Sequence, residues 1–267
     1  MRYADYMDMA IREPYRFGNN YGFSAEDIKQ ICNDVGISAR FNRYLKGKSV
    51  IVVGPSPYLK GLKKGPFIDS HDVVIRINKA WKPEQDLVED YGKKTDVRYH
   101  CMMEHENNGG KYDIDGMIDY GVEWLASQFP YNLDYFHNDN ARFLDRNNGK
   151  IKFHVPKDLT YYVNLQSIMS TRPNVATAVV SELVHYDLDS LHLTGISFFT
   201  DGWVGKYKDN ATNVDNKGKY MGMNDMIKEG HAQAPQMNLI KILGSLYSKF
   251  TMDEEIETII NGELSIQ

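Results

Sequence analysis

The segment "KSVIVVG" at residues 48–54 decides the fold class. Its β-branched run from Ile51 to Val53 is typical of a buried strand, and Gly54 follows where the chain must turn. Comparable β-rich runs recur downstream between Gly, Pro and Asp residues: "DVVIRIN" (72–78), "TDVRYHCM" (95–102), "VEWLASQF" (122–129), "KIKFHV" (150–155) and "SLHLTGISFF" (190–199). The sequence therefore predicts a sheet built from these strands.

A helical pattern separates the last two runs. In "NVATAVVSELVHYDL" (174–188), one side of the predicted helix carries Ala176, Val179, Val180, Leu183 and Val184. Strand, helix and strand in this order indicate a βαβ unit, in which the strands are parallel. We therefore predict an α/β, Rossmann-like fold whose mostly parallel sheet is flanked by helices.

The predicted domain covers residues 47–267, and residues 1–46 form a helical extension with a capping-box pattern at Ser24–Asp27. Residues 200–230 have no clear period, and loops of that length are often lids or binding loops. The chain is predicted to close with two helices, in "APQMNLIKILGSLY" (234–247) and "MDEEIETIING" (252–262).

Composition limits the class of protein. The 267 residues are 42% hydrophobic and 12% aromatic, which is enough for the core of one domain with an appendage. The net charge of -5 lacks the basic excess of proteins that follow a phosphate backbone, so nucleic acid is not an expected partner.

The cysteine count points to a reducing compartment. Cys32 and Cys101 are the only two cysteines of the sequence, too few for a disulfide framework or a Cys-rich zinc site. The N-terminal segment lacks the apolar core of a signal peptide, and no run of about 18 apolar residues predicts a transmembrane segment. A cytoplasmic location is expected, with peripheral membrane attachment as an alternative.

The loop after the first strand, "GPSPYLKGLKKG" (54–65), occupies the position where open α/β sheets bind anions. It matches neither G-x-G-x-x-G nor the Walker pattern, and its two prolines remove two amides from any phosphate cradle. The loop is interpreted either as a phosphate contact through Gly54 and Ser56 or as a tight structural turn.

A longer block makes the pattern specific. Together, "VVGPSPYLKG" (52–61), "GPFIDSHDVVIRINKA" (65–80) and "DYGKKTD" (90–96) closely resemble the long sialylmotif of the eukaryotic-type sialyltransferases, glycosyltransferase family 29. The segment "RPNVATAVVSELVHYDLDSLHLTGISFF" (172–199) stands where the short sialylmotif belongs, and "LHLTGISFF" is also similar to a strand of the bacterial family 42 sialyltransferases. Finally, "GHAQAPQMNLIKIL" (230–243) resembles the very short motif.

This resemblance implies the sialyltransferase variant of the GT-A-like fold and a defined activity. Such enzymes move an acidic sugar from a CMP-activated donor, usually CMP-sialic acid and in some branches CMP-Kdo, to an acceptor hydroxyl on a glycan or glycolipid. They invert the anomeric centre and use no metal. The CMP-sugar is then a co-substrate, and no further cofactor is expected.

The resemblance also places a general base. His231 falls on the catalytic His position of the family, and an imidazole with a near-neutral pKa suits removal of the acceptor proton. The family usually has Glu five residues later, where this sequence has Gln236. Orientation of the base by a carboxylate is therefore not expected here.

Donor-binding residues are implied at the strand ends. Asn78 matches the family's second Asn, with a turn role as the alternative, whereas Pro55 replaces the first Asn and leaves Ser56 and the remaining amides to bind. Arg172 and the start of the next helix at Asn174 provide positive charge for an anion. Asn174 is interpreted as a ligand contact or as an N-cap, because the family's small polar run is replaced there.

The leaving phosphate requires donors that Phe198 and Phe199 cannot supply. Tyr207 and Tyr220, in the 200–230 loop, are the candidates, although packing against the sheet is an alternative role. The further alternatives are Lys206 and Lys219.

Two more features concern cysteine chemistry. The family 29 disulfide between the long and short motifs has no counterpart, because Ser49 stands near the first Cys position and 174–199 contain no Cys; this favours a bacterial or viral cytoplasmic enzyme. In "YHCMMEHE" (99–106), a strand would separate His100 from Cys101, so no metal site is predicted.

The leading hypothesis is an inverting, metal-independent glycosyltransferase that uses a CMP-activated acidic sugar, with His231 as the base. One alternative keeps the fold and changes the nucleotide sugar. A third is a degenerate protein that binds a nucleotide or glycan without turnover.

Overall fold

The computed structural model describes residues 38–104, 109–128, 134–156, 159–200 and 231–262. Within them seven strands form one sheet in the order β5-β4-β3-β2-β1-β6-β7, and every adjacent pair is parallel. The strands are β1 Ser49–Val53, β2 Val73–Ile77, β3 Val97–His100, β4 Trp124–Ser127, β5 Lys152–His154, β6 Ser190–Thr194 and β7 Phe250–Met252. The predicted α/β fold with a Rossmann-like parallel sheet is confirmed.

Helices cover both faces of this sheet. They are α1 Ala39–Leu45, α2 Gly65–Asp69, α3 Val88–Tyr91, α4 Ile114–Tyr120, α5 Asp134–Asn147, α6 Leu159–Met169, α7 Val175–Leu183, α8 Gln233–Leu246 and α9 Glu254–Ile260. Local signals set several ends: the Asp113 side chain accepts from the Gly116 amide at the start of α4, and Gly121, in the left-handed region, ends that helix. None of the helices in the described part of the chain is both long and apolar enough to cross a membrane.

The main core lies on the face of the sheet that contacts α7, α8 and α9. Alternate residues of β1 and β6, such as Val52 and Leu193, point into it, and the α7 residues Val179 and Leu183 pack against them. Phe41 of α1 is also fully buried in this core. The described end of the predicted extension therefore packs on the domain, while the boundary at residue 46 stays a prediction.

The strand order places the candidate site. Strands β1 to β5 extend to one side, after which the chain returns and places β6 on the other side of β1. Ligands of open α/β sheets bind at such a switch point, beyond the carboxyl ends of the strands. Helices α7 and α8 precede β6 and β7 in parallel crossovers, so both begin at this edge.

The predicted βαβ unit differs in one respect from the observed connection, because its two strands are not neighbours in the sheet. β5 and β6 are parallel strands of one sheet, but four strands separate them, and two helices, α6 and α7, lie in the crossover. A local hydrophobic pattern identifies each element, whereas the partner of a strand is decided by contacts far apart in the chain.

Buried Arg76 joins the second and third segments of the block that resembles the long sialylmotif. Its guanidinium donates to the carbonyls of Tyr91 (2.6 Å), Gly92 (3.2 Å) and Lys94 (3.0 Å). Asp69 completes the connection by accepting from the Lys94 amide at 2.8 Å. Arg76 and Asp69 therefore have a structural role, because they hold the loop after α3 in place.

Candidate functional site

The β1 and β6 loops approach each other at the switch point. A Cβ atom on Gly54 would lie 2.2 Å from the Gly195 carbonyl oxygen, and one on Gly195 would lie 2.4 Å from that of Gly54. The amide of Gly54 donates to the Thr194 carbonyl and that of Ser56 to the Gly195 carbonyl, both at 2.9 Å. Close backbone contact of this kind requires glycine at both positions.

These bonds also decide what the first loop can offer to a phosphate. The amides of Gly54 and Ser56 are engaged by β6, and Pro55 and Pro57 have no N–H. Within this described loop, residues 54–57 therefore have no main-chain N–H left for a ligand. Ser56 is 2% exposed and its carbonyl accepts from the Tyr91 hydroxyl at 2.7 Å. Gly54 and Ser56 stay predictions as ligand contacts, but not through their amides.

A buried carboxylate fixes the same loops from β7. Asp253 accepts from the Tyr58 hydroxyl at 2.7 Å, and that hydroxyl accepts from the Gly195 amide at 2.6 Å. Burial raises the pKa of Asp253, but hydrogen bonds outweigh burial and hold it well below its usual range. The donors are His192, Thr194, Tyr58 and Lys64. Asp253 is therefore an anion that ties three strand ends together.

Asn78 ends β2 at the same edge. Its φ of 49° lies in the left-handed region, and its Oδ1 accepts from the Cys101 amide at 2.9 Å. Buried Arg98 donates to the Asn78 carbonyl at 2.8 Å. The turn role weighed for Asn78 is thus present, and it leaves the Nδ2 group, which bonds no acceptor among the described residues, able to donate to a ligand.

His231 lies half-buried just before α8. Its Nδ1 lies 3.2 Å from the carbonyl oxygen of Arg172, which can only accept, so Nδ1 carries the proton. In the neutral imidazole the lone pair is then on Nε2, as a general base requires. The Ala232 amide donates to the Thr171 hydroxyl at 2.8 Å, which attaches the start of α8 to the segment before α7.

Two glutamines of α8 complete this attachment. Gln236 is fully buried; its Nε2 donates to the Arg172 carbonyl at 2.7 Å, and its Oε1 accepts from the Asn174 amide at 3.0 Å. Asn174 Nδ2 donates to Gln233 Oε1 at 2.8 Å. The structure thus brings together His231, Arg172 and Asn174, which the sequence predicted separately.

The same place offers positive charge from two helix ends. Asn174 occupies the N-cap position of α7, but its side chain does not accept from the α7 amides, and α8 begins at Ala232 without a side-chain cap. The first amides of a helix have no intrahelical acceptor, and together with the helix dipole they favour an anion at such a start. Arg172, two residues before Asn174, adds a positive charge to this part of the chain, and such an arrangement suits a phosphate or a carboxylate.

In the "YHCMMEHE" segment, both ring nitrogens of His100 bond the main chain. His100 is buried, its Nδ1 accepts from the Met102 amide at 2.9 Å, and its Nε2 donates to the Gly110 carbonyl at 2.9 Å. Burial, followed by the charge of Arg98, lowers the pKa of His100 well below its usual value. Over the described residues, no group of three or more His, Cys, Asp and Glu side chains is placed to share a metal ion.

Ser49, which the resemblance places near the first cysteine position of family 29, forms hydrogen bonds instead. Its hydroxyl donates to Asp72 Oδ2 at 2.8 Å, and Asp72 returns a bond from its own amide at 3.0 Å. This reciprocal pair connects the starts of β1 and β2. Cys101 is buried, and Cys32 lies outside the described residues.

The leaving-group candidates Tyr207 and Tyr220, with Lys206 and Lys219, also lie outside the described residues. The chain enters their segment from a strained turn, since Phe198 and Phe199 have φ of 52° and 64°. A bulky residue in that region costs about 1–3 kcal/mol, and such strain occurs often at functional sites.

Sequence reasoning missed three residues that build the site. Gly195 carried a signal, because a glycine directly after a buried strand indicates close backbone approach. Thr171 and Gln233 carried none, since their partners are about 60 residues away in the chain.

Comparison with known proteins supports the predicted resemblance. The family model described as "Glycosyltransferase family 29 (sialyltransferase)" matches residues 6–123, which include the block that resembles the long sialylmotif. A mammalian sialyltransferase in complex with Gal-beta-1-3GalNAc-ortho-nitrophenol shares the fold, with a TM-score of 0.50 and 18% identity over 94% of this chain and 86% of that chain. The sialyltransferase CST-II in complex with CMP gives a TM-score of 0.52 and 16% identity over 77% and 80%.

Curated relatives give a shorter match. Probable pectate lyase B of Aspergillus terreus is 29% identical over 39% of this chain and 32% of its own length. Pectate lyase plyB of Emericella nidulans is 31% identical over the same shares. The chain thus spans about a third of these relatives, too little to transfer their activity. The family match and the shared fold confirm the resemblance to sialyltransferases of family 29 and support a glycosyltransferase.

Proposed function

We propose that this protein transfers an acidic sugar of the sialic acid or Kdo type from a CMP-activated donor to a hydroxyl of a glycan or glycolipid. The transfer inverts the anomeric centre and uses no metal. The observation that carries the proposal is the junction of His231, Arg172 and Asn174 where α7 and α8 begin. This junction supports a base beside an anion-binding surface, because α7 and α8 begin at the edge of the sheet where ligands of open α/β sheets bind.

The proposed reaction is one displacement. The acceptor oxygen attacks the anomeric carbon while its proton passes to Nε2 of His231, and the bond from that carbon to the phosphate oxygen breaks. CMP leaves with the electron pair, and its charge is stabilised by Arg172 and by the amides of the two helix starts. The Nδ1 bond to the Arg172 carbonyl favours the tautomer whose lone pair is on Nε2.

Asn78 is proposed to bind the nucleotide. Its Nδ2 is a donor at the end of β2, two strands from β6, and its Oδ1 is fixed by the Cys101 amide. A side chain held on one side and able to donate on the other presents little entropy cost on binding. Tyr207 and Tyr220 remain proposed donors to the leaving phosphate.

The test is release of CMP from CMP-sialic acid and from CMP-Kdo. We expect His231→Ala to lower the rate by a factor of about 100 or more, the usual contribution of a general base. His71→Ala is the matched control, because this half-buried His precedes β2 at the opposite edge of the sheet. If neither donor releases CMP while another nucleotide sugar is turned over, the donor assignment is wrong.

A protein that binds CMP without turnover is the second candidate. It is favoured by the loop of residues 54–57, which offers no main-chain N–H, and by the neutral Gln236 near the base. CMP binding by calorimetry, together with no turnover of any donor and no effect of His231→Ala, would identify this candidate.

A further inference from the structure

Gln236 bonds the main chain on both sides of Pro173. Its amide nitrogen donates to the Arg172 carbonyl at 2.7 Å, and its amide oxygen accepts from the Asn174 N–H at 3.0 Å. The side chain is 0% exposed, so neither bond competes with water. An amide is suited to this place because it donates and accepts at once.

The carbonyl that Gln236 holds is the one that His231 uses. Arg172 O receives the Gln236 bond at 2.7 Å and the His231 Nδ1 bond at 3.2 Å. The second bond is at the upper limit for N–H···O geometry, so a shift of a few tenths of an ångström would break it. Gln236 and His231 thus donate to the same carbonyl oxygen.

We infer that Gln236 is a positioning residue, which fixes the Arg172 carbonyl so that His231 keeps its proton on Nδ1 and its lone pair on Nε2. This inference rests on the proposed function for its catalytic meaning, but not for its structural content. A main-chain carbonyl held by a neutral amide thereby takes the orienting role that a carboxylate has beside many catalytic histidines. An ionised carboxylate at this position would face the Arg172 carbonyl without a proton to donate.

The structural content is tested first, by nitrogen NMR of the histidine side chains in the full chain, with His231→Ala identifying the signal of His231. We expect the Nδ1–H tautomer in the wild type and a mixture of tautomers in Gln236→Met. Gln128→Met is the matched control, since Gln128 is also buried, at the end of β4, and takes no part in the proposed machinery. The same tautomer in wild type and Gln236→Met, with unchanged thermal unfolding, would overturn the inference.

The second arm measures the pH dependence of CMP release. A misplaced base typically loses about 10- to 100-fold in rate, so we expect kcat of Gln236→Met to fall by that factor at every pH while the donor KM changes little. For Gln236→Glu we expect a loss that grows with pH, because the new carboxyl group donates to the Arg172 carbonyl only while protonated.

The two arms separate the possible failures. The inference would be wrong if Gln236→Glu released CMP as fast as the wild type at high pH, with its pH–rate profile shifted to higher pH. That result would show that the site works with a carboxylate. If no variant or wild type releases CMP in a His231-dependent way, the proposed function fails, while the tautomer measurement still decides the role of Gln236.

Discussion

The contact between Gly54 and Gly195 gives a quantitative prediction, because steric and conformational costs can be separated there. Gly54 has no unusual φ, but a Cβ would meet the Gly195 carbonyl oxygen and Ile196 Cδ1, both at 2.2 Å. Gly195 has a φ of +69° and also lacks room, since its Cβ would lie 2.4 Å from the Gly54 carbonyl oxygen. Gly47 has a φ of +67° with no atom within 4 Å.

These three sites predict a graded series. Gly47→Ala should cost about 1–2 kcal/mol, the penalty of the left-handed region alone. Gly54→Ala should cost about 3 kcal/mol, the upper end for overpacking, because a backbone oxygen has to move. Gly195→Ala carries both penalties and should cost about 4–5 kcal/mol.

The assay is urea unfolding of the four proteins, with the free energy of unfolding compared at equal m-values. The change in melting temperature on adding CMP reports the site in parallel, and Gly54→Ala should reduce it while Gly47→Ala should not. If Gly54→Ala is no less stable than Gly47→Ala, the β1 and β6 loops are free to separate, and the close approach does not shape the site.

Three further predictions concern other parts of the molecule. Burial, then the charge of Lys249, lowers the pKa of His185 from 6.5 to about 4. Between these two pH values the unfolded chain binds more protons than the folded chain, so the free energy of unfolding should fall as the pH drops from about 6.5 to about 4. Urea titrations of His185→Gln should show a weaker dependence of that free energy on pH. Arg76→Met leaves three carbonyls, two of them buried, without their donor and should cost about 3 kcal/mol or more in chemical unfolding. Asn78→Asp keeps the acceptor for the Cys101 amide but loses Nδ2, so calorimetry should show CMP affinity reduced by about tenfold with little change in melting temperature.

The strands show which part of the fold can be predicted from local sequence. Six were predicted because β-branched runs such as "SVIVV" are buried on both faces of a parallel sheet and stay apolar throughout. The strand Phe250–Met252 was missed, since the helical patterns at 234–247 and 252–262 leave too short a gap between them for an alternating pattern. The strand order could not be predicted, because pairing β1 with β6 joins residues about 140 apart.

The site divides in the same way. The motif pattern predicted His231, Arg172 and Asn174, and Asn174 does start a helix. Its side chain nevertheless bonds Gln233 instead of capping α7, because a partner from a distant helix competes with the local amides. Likewise Tyr58 and Asp253 are 195 residues apart in the sequence, so no local pattern predicts the hydrogen bond between them.

Two departures from the pattern of family 29, at Ser49 and Gln236, place hydrogen bonds where the resemblance implies another group, and a third, at Pro55, removes a donor. Ser49 and Asp72 exchange two bonds at the position of the missing cysteine. Pro55 has no N–H, and the amides of Gly54 and Ser56 already bond the β6 end. Binding of the sugar donor is therefore proposed to rely on Asn78 and on the starts of α7 and α8. Gln236 supplies a donor and an acceptor together, and a carboxylate can supply only the second while ionised. The proposed chemistry therefore depends most on the junction of α7 and α8, where His231 and Gln236 both donate to the Arg172 carbonyl.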